Sequence, residues 1–116
     1  MNTVYDLKRE VEKPERLTGG HRLCAGCGAG IVVSGVLRAL EKEDRAVVTN
    51  ATCCLEVSTF MYPYTAYMDS YIHSAFENSA ATCSGVEAAY NALKRRGKVD
   101  DTVKFITFAG DGGTYD

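Results

Sequence analysis

Along the chain, apolar positions gather in blocks whose spacing changes from one block to the next. Residues 1–19 are polar for the most part, contain Pro14 and run into the Gly19–Gly20 pair, and so predict an arm leading into the first ordered unit. Beyond it, Ile31, Val32, Val36, Leu37, Ala39 and Leu40 recur at helical spacing while Arg38, Glu41 and Lys42 fall on the other side, which predicts a helix from Gly28 to Lys42. Arg45 to Asn50, RAVVTN, is a short apolar run of the kind a buried parallel strand shows. From Ala51 to Asn78 the periodicity fades, Pro63 intervenes and tyrosines stand at 62, 64, 67 and 71, so this stretch predicts a long irregular segment. Segments of that length in compact domains are usually functional or covered by a partner. A second helix is predicted from Ser79 to Arg96, with Cys83, Val86, Ala89, Tyr90 and Leu93 on one face and Gly97 as its stop. A second apolar strand, Val103 to Ala109, runs directly into Gly110-Asp111-Gly112-Gly113.

Helix, strand, helix, strand with apolar strands predicts an α/β fold, a parallel sheet with helices on both faces. Such sheets bind ligands at the carboxyl ends of their strands, where the loops Asn50–Cys54 and Gly110–Gly113 fall. No helix is expected after the second strand, and two strands cannot complete a doubly wound sheet. The expectation is therefore an N-terminal arm over 1–19 and, over 20–116, one part of a larger domain.

Composition narrows the function classes. At 116 residues, with 46% hydrophobic and 24% charged residues, the chain suits a single globular core. A net charge of −2 and the lack of a basic stripe argue against nucleic acid. The cluster Lys94 to Lys98, KRRGK, reads as a solvated helix end. No apolar run reaches the length of a membrane span, and the charged start MNTVYDLKREVEKPERL lacks the apolar region of a secretory signal. The expected location is the cytoplasm, where the five cysteines do not suggest a disulfide framework. Thiolates ligating a metal or a cluster are the leading explanation.

The candidate chemistry starts at GHRLCAGCGAG, residues 20–30, where Cys24 and Cys27 form a Cys-x-x-Cys pair. That pair suits a redox dithiol, a zinc half-site or a cluster half-site, and the polar arm before it, in place of a strand, weakens the dithiol reading. Cys53 and Cys54 add thiols after the first strand; successive side chains diverge, so one of the two is the expected ligand. Core packing accounts for Cys83 better than ligation does. In Gly110–Gly113 glycine amides can approach a phosphate and an aspartate can hold Mg²⁺, although the four residues alone read better as an ordinary glycine-rich turn with a capping aspartate. His21 reads as a loop histidine with one backbone hydrogen bond, and His73 as structural. Glu56, Glu77 and Asn78 have no spacing that marks an acid–base pair.

Taken in order, Cys24-Ala25-Gly26-Cys27-Gly28, Asn50-Ala51-Thr52-Cys53-Cys54, Phe76-Glu77-Asn78 and Gly110-Asp111-Gly112-Gly113-Thr114-Tyr115-Asp116 resemble the thiamine-diphosphate-binding β subunit of 2-oxoacid:ferredoxin oxidoreductases, pyruvate:ferredoxin oxidoreductase above all. The resemblance runs from Gly20 to the end of the chain and covers the N-terminal part of that subunit. It implies the thiamine-diphosphate-binding fold, in part. It also implies a [4Fe–4S] cluster ligated by Cys24, Cys27 and Cys54, with Cys53 where the family pattern commonly has glycine and a fourth ligand further downstream. Thiamine diphosphate would be bound by Thr52, Gly110, Asp111, Gly112 and Gly113, with Asp111 on Mg²⁺. The family's catalytic glutamate comes from another subunit, so no catalytic acid or base is expected in this chain. The implied partners are the other oxidoreductase subunits (α, γ and δ types), ferredoxin, a 2-oxoacid and coenzyme A. A reading of another class, a zinc-stabilised binding module using Cys24, Cys27, Cys53 and Cys54, stands beside it.

Overall fold

The computed structural model describes residues 6–115. Three strands form a parallel sheet: β1 (Arg45–Ala51) at the centre, β4 (Ser70–Ser74) on one side and β5 (Val103–Phe108) on the other. The sheet is thus one strand wider than the sequence predicts. Between β1 and β4, the stretch expected to be irregular folds into a short helix α3 (Cys54–Thr59) and a two-residue ribbon, β2 (Phe60–Met61) against β3 (Tyr64–Thr65). β4 escapes the sequence reading because it is a five-residue edge strand whose inward positions are only half-buried.

Strand alternation places a helix on each face. Val48 of β1 belongs to the core with Val33 and Leu37 of α2 (Gly28–Arg38), and Ile106 and Phe108 of β5 pack against the same cluster. On the opposite face lies α4 (Ser79–Arg95): Thr49 Oγ1 donates to Ser79 O at 3.2 Å, and the Phe105 and Tyr90 rings meet edge to face at 5.8 Å. Both helices occur where periodicity predicts them, but α2 stops at Arg38 instead of Lys42. Its inner positions are Val33 and Leu37, four apart, and Leu40 past its end packs on the same core, so Ile31, Val32 and Val36 point outward and Ile31 is 73% exposed. A helix apolar on two sides carries no mark in its sequence of which side faces the core.

The stretch read as a polar arm is docked on this core. Residues 1–5 lie outside the described residues; the next ones form helix α1 (Leu7–Glu12), and Leu17 is buried in the core, bridged to Tyr67. Arg16 is the clasp. Its Nη1 donates to Asp69 Oδ1 at 2.6 Å, and its Nη2 donates to the carbonyls of Glu41 and Asp44 at 2.8 and 2.9 Å. One guanidinium thereby joins the turn after α2, the approach to β4 and the N-terminal segment. Lys13 donates to Arg38 O at 3.0 Å, and Glu15 pairs with Arg38.

Both partners of the Arg16–Asp69 pair are nearly buried, and removing one half of such a pair leaves the other uncompensated. Arg16→Ala is expected to lower unfolding stability by about 3 kcal/mol, measured as a shift of the urea midpoint at unchanged slope; a shift within experimental error would show the clasp to be ornamental.

Candidate functional site at the carboxyl edge of the sheet

The loops that follow the three strands meet at one edge. After β1, Thr52 turns toward β4: its N–H and its Oγ1 both donate to Ser74 O, at 3.0 and 3.2 Å, while Ser74 Oγ donates to Asn50 O at 3.3 Å. After β5, the run Gly110–Gly113 is pressed against the other two loops. A Cβ at Gly113 would lie 2.8 Å from Ala109 Cβ and 3.0 Å from Phe76 O, and one at Gly110 would lie 3.0 Å from Cys53 Cβ. At Gly112 the nearest atom would be 3.6 Å away, an ordinary contact. Glycine is therefore required at 113 by close approach, and at 110 a Cβ would press on Cys53. A short helix, α5 (Asp111–Tyr115), begins within this loop, where the sequence predicts none; Thr114 donates to Gly110 O through both its N–H and its Oγ1. Asp111 opens that helix, exposed to solvent.

Three of the five thiols sit at helix starts. Cys27 precedes α2, and its N–H donates to Cys24 O at 3.0 Å across a tight turn that Gly26 permits with φ +75°. Cys24 is exposed and Cys27 half-buried, and beside them runs an open groove of about 700 Å³ lined in part by Leu23, Ile31, Ser34 and Arg38. Cys54 is the first residue of α3 and is exposed. Cys53, just before it, turns the other way, behind Gly110, with Sγ 3.8 Å from Asn50 Oδ1. The adjacent cysteines diverge, as their spacing predicts. Arg22 N–H donates to Ser58 O at 2.7 Å and so ties the approach of the Cys24–Cys27 turn to α3. All five cysteines are free thiols. Among the described residues no three His, Cys, Asp or Glu side chains gather closely enough to hold a metal ion, so Cys24, Cys27 and Cys54 are not brought together into one ligand set. Cys83 is half-buried on α4. His21 makes the expected local bond, its Nδ1 accepting the Leu23 N–H at 3.3 Å.

Beneath the edge lies a polar group whose pairing the sequence did not disclose. Glu56 in α3 is buried, and its Oε1 lies 2.6 Å from Nδ1 of His73 on β4. Oε1 has no aligned hydrogen-bond donor among the described residues, so the contact is a pairing of charge when His73 is protonated. His73 also stacks on Phe60, with ring centroids 5.2 Å apart and planes 4° from parallel. Tyr67 and Tyr71 stack at 4.9 Å alongside. Burial pushes both phenols above their ordinary range, and the Glu56 charge pushes Tyr71 further. The four tyrosines of this stretch are divided: Tyr67 is core, Tyr71 half-buried, and Tyr62 and Tyr64 project into solvent. The signal for Glu56 was faint, a single carboxylate between Leu55 and Val57 in a six-residue helix.

The pyruvate synthase subunit PorB of Thermotoga maritima is 56% identical over 97% of this chain and 36% of its own length. Its counterpart in Methanocaldococcus jannaschii is 52% identical over 90% of the chain and 35% of its own length. The ketoisovalerate oxidoreductase subunit VorB of Pyrococcus abyssi is 36% identical across the whole chain, 37% of that subunit. No family model matches the chain. The chain spans about a third of the length of these curated relatives.

The two glycines on either side of the contact limit separate cleanly in experiment. Gly113→Ala is expected to lower stability by about 2 kcal/mol through overpacking, whereas Gly112→Ala should stay within about 1 kcal/mol of the parent protein. Thermal unfolding of the pair checks this, and equal losses would contradict the packing described.

Proposed function

The chain belongs to the family of the pyruvate synthase PorB subunits, about a third of whose length it spans, and from that premise we propose that it forms part of a subunit of a 2-oxoacid:ferredoxin oxidoreductase, with pyruvate as the acid. The observation that carries the reading is the convergence of the Asn50–Cys54, Phe76–Asn78 and Gly110–Gly113 segments at the carboxyl edge of a parallel sheet, where folds of this class bind their ligands. In this proposal thiamine diphosphate lies against Gly110, Gly112, Gly113 and Thr52, and Asp111 holds Mg²⁺. The fit is chemical: the glycine run presents backbone without side chains, and Asp111 offers an exposed carboxylate beside it. When bound, thiamine diphosphate would supply the electron sink for decarboxylation of a 2-oxoacid.

Cys24, Cys27 and Cys54 are the proposed ligands of a [4Fe–4S] cluster. As free thiols at exposed or half-exposed positions they have the donor chemistry such a cluster takes; their assembly around one cluster is part of the proposal. Cys53, turned behind Gly110, is left out of the ligand set. The residues of this chain would bind and orient, and the catalytic acid–base groups would come from a partner subunit. The proposed partners are the other subunits of the complex (α, γ and δ types), ferredoxin, coenzyme A and the 2-oxoacid. Exposed apolar side chains such as Ile31, Val32, Tyr62 and Phe76 support subunit contacts of this kind. No helix among the described residues is long and apolar enough to cross a membrane, and the cytoplasm is the proposed location.

Anaerobically purified protein, with the subunits that accompany it, should be brown and carry iron and acid-labile sulfide. Cys24→Ala, Cys27→Ala and Cys54→Ala should each abolish the colour, and Cys53→Gly should keep it. Colourless protein with stoichiometric zinc would replace this reading with the zinc-stabilised module. Asp111→Asn is expected to weaken Mg²⁺-dependent thiamine diphosphate binding by about tenfold or more, read by calorimetry; unchanged binding would remove Asp111 from the site.

A further inference from the structure

A carboxylate with almost no exposed surface is a poor choice for stability alone, because desolvating it is expensive unless a partner compensates. Glu56 is such a group, and its surroundings show what it does. It sits in the first turn of α3, two residues beyond Cys54 and three beyond Cys53. Its partner His73 belongs to β4 and pairs in the sheet with Asn50, the residue whose Oδ1 faces Cys53 Sγ. His73 therefore grips α3 twice, through Nδ1 on Glu56 in the first turn and through its ring face on Phe60 just past the last. α3 has no side-chain cap: Cys53 stands at the cap position and makes no capping bond. A six-residue helix without a cap has little intrinsic stability, so the direction of its first turn must be set by contacts from outside.

We propose that Glu56 and His73 are a positioning pair that fixes the first turn of α3 on β4 and thereby holds Cys53 inward behind Gly110 with Cys54 directed outward. The pair acts through the geometry of the turn and touches no thiol itself. Other groups around Glu56 do not replace His73. The phenol hydroxyls of Tyr67 and Tyr71 make no hydrogen bond to Glu56 among the described residues, and the Thr59 hydroxyl is already donated to the carbonyls of Leu55 and Glu56 at 2.8 and 3.2 Å. This role is compatible with the proposed cluster, whose ligands leave out Cys53, and not with the zinc-stabilised module, which would ligate it.

The test is site-resolved alkylation of the purified protein with its accompanying subunits, comparing Cys53 with Cys83, a half-buried thiol on α4. In Glu56→Gln and in His73→Gln, Cys53 should react about tenfold faster while Cys83 keeps its parent rate. The double variant should gain no more than either single one, since two halves of one pair are not additive. A Cys53 rate unchanged in both single variants overturns the proposal. So does an equal acceleration of Cys53 and Cys83, which would show general loosening. If Glu56→Gln does not fold, His73→Gln, at a 45% exposed side chain, decides the question by the same two rates.

Discussion

A strand with parallel neighbours on both sides has almost no freedom left, and β1 is that strand. Its backbone pairs with β4 and β5, and from Ala46 to Ala51 only Val47 retains more than marginal exposure. Everything at the candidate site is referred to it. Thr52 to Cys54 leave its carboxyl end, Ser74 and His73 are set beside it by the β4 register, and Gly110 arrives from β5 in contact with Cys53. Because the strand cannot shift, the loops around its end adapt in composition instead, with glycine where two backbones close on each other and small or polar residues elsewhere.

The sequence disclosed this frame where burial leaves a strong pattern. RAVVTN reads as a strand because it is buried on both faces, VKFITF because it is a short run of β-branched and aromatic residues although it is only half-buried, and α4 because one side of it is small and apolar. It was less informative where structure depends on distant partners. Arg16 looked like one more charge in a polar arm; its three acceptors lie 25 to 53 residues away. SYIHS is too short and too mixed to show a period, and it becomes a strand only because β1 offers it an edge. The outward face of α2 is as apolar as its inward face, so spacing alone groups Ile31, Val32 and Val36 with Leu37 and does not tell which of them meets the core.

The candidate site shows the same division. The thiols and the glycine–aspartate run were visible as residue types at telling spacings. The reason for glycine at 113, a carbonyl of Phe76 at contact distance, and the partnership of Glu56 with His73 exist only in three dimensions. Residue types announce which chemistry is available, whereas the packing of short elements decides which groups face each other.

The bond from Arg22 N–H to Ser58 O has a mechanical meaning. It anchors the chain two residues before Cys24, and two residues of extended backbone reach at most about 7 Å. Cys24 is therefore on a short leash whose fixed end is α3, the helix that begins with Cys54. The turn can swing without leaving the neighbourhood of that helix, so drawing the thiols together would be a local rotation about a tether, with the sheet undisturbed.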